Sequence, residues 1–197
     1  MIGTRVQHVS RRAAERVVSP LAAIGVTPLM LTLSGFVLSI PAAVFLANGQ
    51  HLVGGVLVLV SGAVDMLDGA LARVKQQVTV FGAFIDSTLD RYVELAMYAG
   101  LVWHYSVTGR NVEAIVVLAA AAGSLLVSYS KARAEGLGLE CKVGLLQRPE
   151  RLIILGVAAA LSSWLLVPAI WVLAIVTHLT ALQRIIHVYL ITHGKSS

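Results

Sequence analysis

Long apolar runs and short polar breaks alternate along this chain. Apolar residues fill 28–47, 52–74, 80–104, 112–134, 149–165 and 169–191. Each run is near the ~20 residues an α-helix needs to cross the hydrocarbon core of a bilayer. The breaks read as turns: Asn48-Gly49-Gln50, the segments 74–80 and 106–111, and a longer glycine-containing loop over 135–147. Thr27-Pro28 reads as a helix start, with Thr27 as N-cap and Pro28 at the first helical position. The pattern predicts an all-α integral membrane protein with six transmembrane helices. Ahead of them, Arg5, Arg11, Arg12 and Arg16 are set among Val6, Val9, Ala13, Ala14, Val17 and Val18. That predicts an amphipathic interfacial helix over 1–24, with its arginines toward anionic headgroups. A signal peptide is the other reading, disfavoured by the long basic region and the lack of a small-residue cleavage site. Residues 1–197 then form one membrane domain, with 1–24 juxtamembrane and 28–191 the six-helix bundle.

Composition agrees. The chain is 57% hydrophobic with a mean hydropathy of +0.84, too apolar for a soluble domain. The formal net charge is +5, and its placement says more than its size. Six spans put both termini on one side. The connections on that side carry the N-terminal arginines, Arg73, Lys75, Lys131, Arg133, Lys142, Arg148, Arg151 and Lys195, while the opposite connections hold only Arg110. The positive-inside rule then predicts a multi-pass protein of the cell membrane with both termini in the cytoplasm. Basic residues that flank apolar spans argue against a nucleic-acid partner. The single cysteine, Cys141, excludes an internal disulfide and a cysteine-based zinc site.

Four aspartates break the apolar pattern: Asp65 and Asp68 in the second run, Asp86 and Asp90 in the third. A lone Asp at the centre of a membrane helix costs about 2.5–3.5 kcal/mol. The i,i+3 and i,i+4 spacings give each pair one helix face. A turn over 74–80 would bring the two pairs together at the cytoplasmic side. Ion pairing to Arg73 or Arg91 is one way to neutralise them, but two arginines do not balance Asp65, Asp68, Asp86, Asp90 and Glu94. A hard divalent cation, Mg²⁺ or Mn²⁺, suits an all-carboxylate set, and the absence of Cys and His argues against zinc. Intramembrane carboxylates also occur in ion-coupled transporters, which predict them near the midplane beside paired helix breaks.

The stretch 65–90 matches D-x2-D-G-x2-A-R-x8-G-x3-D-x3-D at Asp65, Asp68, Gly69, Ala72, Arg73, Gly82, Asp86 and Asp90. In this it resembles the CDP-alcohol phosphotransferases, membrane enzymes of phospholipid synthesis. The resemblance implies that Asp65, Asp68 and Asp86 bind metal and that Asp90 binds metal and acts as general base. It also implies that Gly69, Arg73 and Thr79 surround the CDP moiety, with Pro28, Leu29, Met30 and Leu31 lining the nucleotide pocket. Leu29 stands where a common family form, T-P-N, has Asn. A second resemblance covers the C-terminal half. The segments 128–135 (SYSKARAE) and 147–154 (QRPERLII), with Gln183-Arg184, are similar to the phosphatidylinositol phosphate synthases of that family. It implies that Lys131, Arg133, Arg151 and Arg184 hold the acceptor's phosphate. By themselves, Lys131, Arg133, Arg148 and Arg151 also read as headgroup anchors at helix ends, whereas Arg184 lies within an apolar span, where an unpaired cation is costly.

The resulting expectation is an enzyme with its active site toward the cytoplasm. It would transfer the phosphatidyl group of a CDP-linked lipid, diacyl or archaeal, to inositol 1-phosphate and release CMP. Glycerol 3-phosphate is the alternative acceptor, because the same cations would bind its phosphate. The resemblance further implies a homodimer.

Overall fold

The structure is a computed structural model that describes residues 18–76 and 79–193. Six helices are described and no strand occurs among these residues: α1 (Pro28–Ala47), α2 (His51–Val74), α3 (Val80–Val107), α4 (Asn111–Gly136), α5 (Arg148–Leu161) and α6 (Ser163–His193). Most of the expected amphipathic helix over 1–24 lies outside the described residues. Its end is helical over 18–23, and Val18 is buried against Ala70 and Leu71 of α2.

The helix starts follow local chemistry. The Thr27 hydroxyl accepts from Met30 N at 3.3 Å, with Pro28 opening α1. The Thr79 hydroxyl accepts from Gly82 N at 3.0 Å and caps α3. At α5 the Gln147 N–H donates to the Glu150 carboxylate at 2.6 Å and Pro149 occupies the first turn. The turns at 48–50 and 108–110 each place a glycine at positive φ, Gly49 and Gly109.

One boundary differs from the expected one. The fifth run was expected to continue to 165 and the sixth to start at 169. The chain instead breaks at Ser162, which is extended, and α6 runs from Ser163 through Pro168. Ser162 is the physical reason: its hydroxyl and carbonyl both accept from Leu165 N, at 3.3 and 3.1 Å, so it caps the next helix. Pro168 falls near the start of α6, where few hydrogen bonds are lost.

Four helices, α1, α2, α4 and α6, are long and apolar enough to cross a membrane. α3 is long but carries Asp86, Asp90, Arg91 and Glu94, and α5 has only 14 residues. Large apolar side chains lie exposed along the outside of the bundle, including Val37, Val44, Leu118, Ile175 and Leu182. In a multi-pass membrane protein these faces meet lipid.

Packing neighbours close into a ring, in the order α1, α2, α5, α6, α4, α3 and back to α1. Glycines set the closest approaches. A Cβ on Gly100 of α3 would collide with the Ala43 carbonyl of α1, and one on Gly123 of α4 with Thr177 of α6. Small residues of this kind let membrane helices pack backbone to backbone. Because α1 lies between α2 and α3, it holds the two aspartate-bearing helices in place.

Candidate active site

Asp65 and Asp68 of α2 and Asp86 of α3 converge. One carboxylate oxygen from each lies within 4.8 Å of the others. α1 sets this geometry. Gly35 allows the Ser61–Asp65 turn of α2 to approach, since a Cβ there would meet Ser61 O at 3.5 Å and Asp65 Cβ at 3.8 Å. Thr32 donates its hydroxyl proton to Asp68 Oδ2 at 2.6 Å and fixes the orientation of that buried carboxylate. The cluster offers only oxygen donors, is half-buried to buried, and has an excess of negative charge. That chemistry fits a hard divalent cation such as Mg²⁺ or Mn²⁺.

Asp90, one turn after Asp86 on α3, meets Asp65 at a shared guanidinium. Its Oδ1 lies 2.7 Å from Nη1 of Arg148, and the same nitrogen donates to Asp65 Oδ2 at 2.5 Å. Arg91, one of the two partners expected from sequence, is more distant, 3.7 Å from Asp90. One helical turn further along α3, Glu94 receives a bidentate pair from Arg151, Nε at 2.8 Å and Nη2 at 2.9 Å. Arg151 is only 2% exposed, and its Nη1 donates to Leu146 O at 3.3 Å. The i,i+4 spacing of Asp90 and Glu94 thus meets the i,i+3 spacing of Arg148 and Arg151. α3 and α5 are not neighbours in the ring, so this ladder spans its interior.

Beside the ladder lies a cavity of about 420 Å³. Six cations line it, Arg91, Lys131, Lys142, Arg148, Arg151 and Arg184, with Asp90 as the one carboxylate. Arg184 reaches it from within α6. It donates to Val127 O of α4 and, at 2.9 Å, to Val143 O of the 137–147 loop. Of the residues expected to hold a phosphate, Lys131, Arg151 and Arg184 line this cavity; Arg133 is exposed and does not. Arg148, which by sequence reads as a headgroup anchor, lines the cavity as well.

The residues expected around a nucleotide lie at the same end of α1, α2 and α3. Pro28 and Leu31 are half-buried and Leu29 and Met30 exposed in the first turn of α1. Arg73 is exposed and lies over Gly69: a Cβ on Gly69 would meet only its Nη1, at 3.6 Å. The fold therefore has room for a side chain at 69. Thr79 uses its oxygen as a cap acceptor, which leaves its O–H to donate.

Comparison with known proteins gives a consistent result. The sequence model of the CDP-alcohol phosphatidyltransferase family matches residues 25–183. The chain is 40% identical to the phosphatidylinositol phosphate synthase of Mycobacteroides abscessus, over 89% of this chain and 85% of that one. It is 38% identical to the archaetidylinositol phosphate synthase of Methanothermobacter thermautotrophicus, over 91% and 92%. Among solved structures, the phosphatidylinositol phosphate synthase of Mycobacterium tuberculosis with CDP-DAG bound superposes with a TM-score of 0.82 at 34% identity, covering 90% of this chain and 94% of that one. The same enzyme has been solved with manganese and citrate, again with a TM-score of 0.82 at 34% identity, covering 89% of this chain and 88% of that one.

Proposed function

The chain belongs to the CDP-alcohol phosphatidyltransferase family, and on that premise we propose that it transfers the phosphatidyl group of a CDP-linked lipid to inositol 1-phosphate. The products are phosphatidylinositol phosphate and CMP. One observation carries the choice of acceptor: a cavity lined by six cations shares Asp90 and Arg148 with the acidic cluster. An anionic acceptor would be held there with its hydroxyl at the carboxylates.

Asp65, Asp68 and Asp86, with Asp90 as the fourth ligand, would hold a divalent cation, which when bound neutralises the diphosphate and the charge that develops on its oxygens. Gly69, Arg73 and Thr79, with the Pro28–Leu31 turn, would hold the CDP moiety. Arg73 would pair with phosphate and Thr79 would donate a hydrogen bond. Lys131 and Arg184 would bind the acceptor's phosphate. Arg151, clamped by Glu94, would add its charge from the cavity wall, and Arg133 would face lipid headgroups. Asp90 would take the proton of the acceptor hydroxyl as that oxygen attacks the lipid-linked phosphorus. The bond from phosphorus to the CMP oxygen breaks, and CMP leaves with the electron pair. Fixing both substrates in line supplies much of the rate.

The same proposal takes all six helices as crossing the membrane, 1–24 as an interfacial helix, the site as cytoplasmic and the protein as a homodimer. The lipid tails are left open by relatives of both the phosphatidyl and the archaetidyl type. Glycerol 3-phosphate is the second acceptor, since its phosphate suits the same cations. A transporter role draws no support, because each relative named above is a synthase.

The test is CMP release by purified protein with CDP-diacylglycerol and a panel of acceptors. Inositol 1-phosphate should be used best, free inositol poorly, and a chelator should stop turnover. Arg184→Ala should raise the acceptor KM roughly ten- to a hundred-fold, the loss of about 1.5–3 kcal/mol of charge-assisted binding. It should change the KM for CDP-lipid much less. Preference for glycerol 3-phosphate would reassign the acceptor, and efficient use of free inositol would remove the cationic cavity from the mechanism.

A further inference from the structure

Arg148 stands where the two halves of the site meet. It lines the cationic cavity and also a narrower apolar groove of about 170 Å³ between α2 and α5. Its contacts are not those of a structural ion pair. Three residues on, Arg151 uses its planar fork on one carboxylate, as a stably placed guanidinium does. Arg148 instead shares the single nitrogen Nη1 between Asp65 and Asp90. Its Nε and Nη2 are buried and find no hydrogen-bond partner among the described residues. Buried donors left unpaired are costly and call for an explanation.

Asp65 supplies the explanation. It is one of the three carboxylates whose oxygens gather within 4.8 Å, and it also carries the Arg148 contact. A guanidinium and a divalent cation at one carboxylate repel each other. Both cannot sit there at full strength.

We infer that Arg148 is a switch that couples cation loading to acceptor binding. A divalent cation at Asp65 displaces the guanidinium, which turns into the cationic cavity and pairs with the acceptor's phosphate. The inference rests on the reading of the acidic cluster as a cation site. The movement needs only side-chain rotation, because Arg148 already lines the cavity. The backbone at 148 is restrained by the proline that follows it. Released, the guanidinium gives its free nitrogens a partner, and Asp90 is left facing the cavity without it. By linkage, cation and phosphorylated acceptor then each raise the other's affinity.

The experiment is titration of Mn²⁺ into the full-length protein in detergent, with free ion read by electron paramagnetic resonance, with and without inositol 1-phosphate. In the unmodified protein the acceptor should tighten Mn²⁺ binding about tenfold. In Arg148→Gln, Mn²⁺ should bind about tenfold tighter without acceptor, and the acceptor's effect should fall below twofold. Arg148→Lys, which keeps the charge on a shorter reach, should lie between, and it carries the test if the Gln variant is not monodisperse. Mn²⁺ affinity in the Arg148 variants equal to or weaker than in the unmodified protein overturns the switch. If Asp65→Asn abolishes that binding meanwhile, the cation reading stands. Mn²⁺ binding unaffected by Asp65→Asn and Asp68→Asn overturns both.

Discussion

Glu94 shows how a carboxylate inside an apolar span is tolerated without a metal. It is 4% exposed and its two oxygens accept from Nε and Nη2 along one edge of the Arg151 guanidinium. Removing one member of such a pair strands the other, at a cost of about 3–5 kcal/mol. Glu94→Gln should therefore lower the thermal unfolding midpoint in detergent, and Glu94→Gln with Arg151→Met should recover most of it. If the single variant unfolds like the unmodified protein, the pair contributes nothing net. Thr32 acts on the cation site in a different way. Its hydroxyl is the only side-chain donor on Asp68 among the described residues, and partners of this kind tune metal affinity by roughly 10–100-fold. Thr32→Val should weaken Mn²⁺ binding within that range, while Thr32→Ser should keep it. Equal Mn²⁺ affinity in Val and Ser variants would show that the hydroxyl does not orient Asp68. The aspartates were legible in sequence because four charges in apolar runs demand a reason. Thr32 was not, since a hydroxyl in an apolar helix is ordinary until its partner on another helix is seen. Arg148 was hidden for the same cause: only the crossing of the ring shows which arginine of Q-R-P-E-R meets which carboxylate.

At the scale of elements, apolar periodicity located α1 to α4 closely and misplaced the α5–α6 boundary. Ser162, which caps α6, sets that boundary, and the 137–147 loop explains why α5 can be so short. Arg184 ties Val143 of that loop and Val127 of α4 to one point. Val127 lies nine residues (136 − 127) before the end of α4 at Gly136, about 13 Å back along the helix. The loop therefore folds back beside α4 and α6 before α5 begins. α5 then needs only its 14 residues, about 21 Å, to reach the far end, where Ser163 meets His51 at 3.1 Å. Irregular backbone is stable where it is buried in protein or lines a polar cavity, and this segment does the latter through Cys141, Lys142 and Gln147. Window hydropathy has no way to register a loop that folds back along its own helix. Glycines give a test at the same scale. Gly100→Ala should destabilise by about 1–3 kcal/mol, because its Cβ would enter the Ala43 carbonyl. Gly69→Ala should keep or raise the unfolding midpoint, because Ala is the better helix former and its Cβ meets only Arg73 Nη1 at 3.6 Å, and, with the CDP moiety proposed to lie over it, should raise the KM for CDP-lipid. A stability loss at 69 equal to that at 100 would assign both glycines to packing.

Over the described residues the molecule is a ring of helices with apolar side chains outward and most of its charged side chains toward one end. That end carries the acidic cluster, the cationic cavity and the basic residues Arg73, Lys75, Lys142 and Arg148, in or beside the connections there. The other end holds the turn at 108–110, with Arg110 paired to Glu113 at 2.6 Å, and the α5–α6 break at Ser162. Basic residues resist translocation, so the rich end should remain in the cytoplasm. Two positions distinguish the ends. Thr108 is exposed in the far turn, and Lys142 is exposed in the loop beside the cavity. The native thiol, Cys141, is 1% exposed, so Cys141→Ala gives a thiol-free background with little loss of surface. In intact cells a membrane-impermeant maleimide should label Thr108→Cys. Lys142→Cys should react only after the membrane is permeabilised. The opposite pattern would turn the molecule over and put the cavity on the outer face. Labelling of both positions in intact cells would mean that the 137–147 loop does not lie at the end assigned to it. The first pattern would place the carboxylates, the cations and the 137–147 loop together on the cytoplasmic side, where a phosphorylated acceptor would have to enter the cavity.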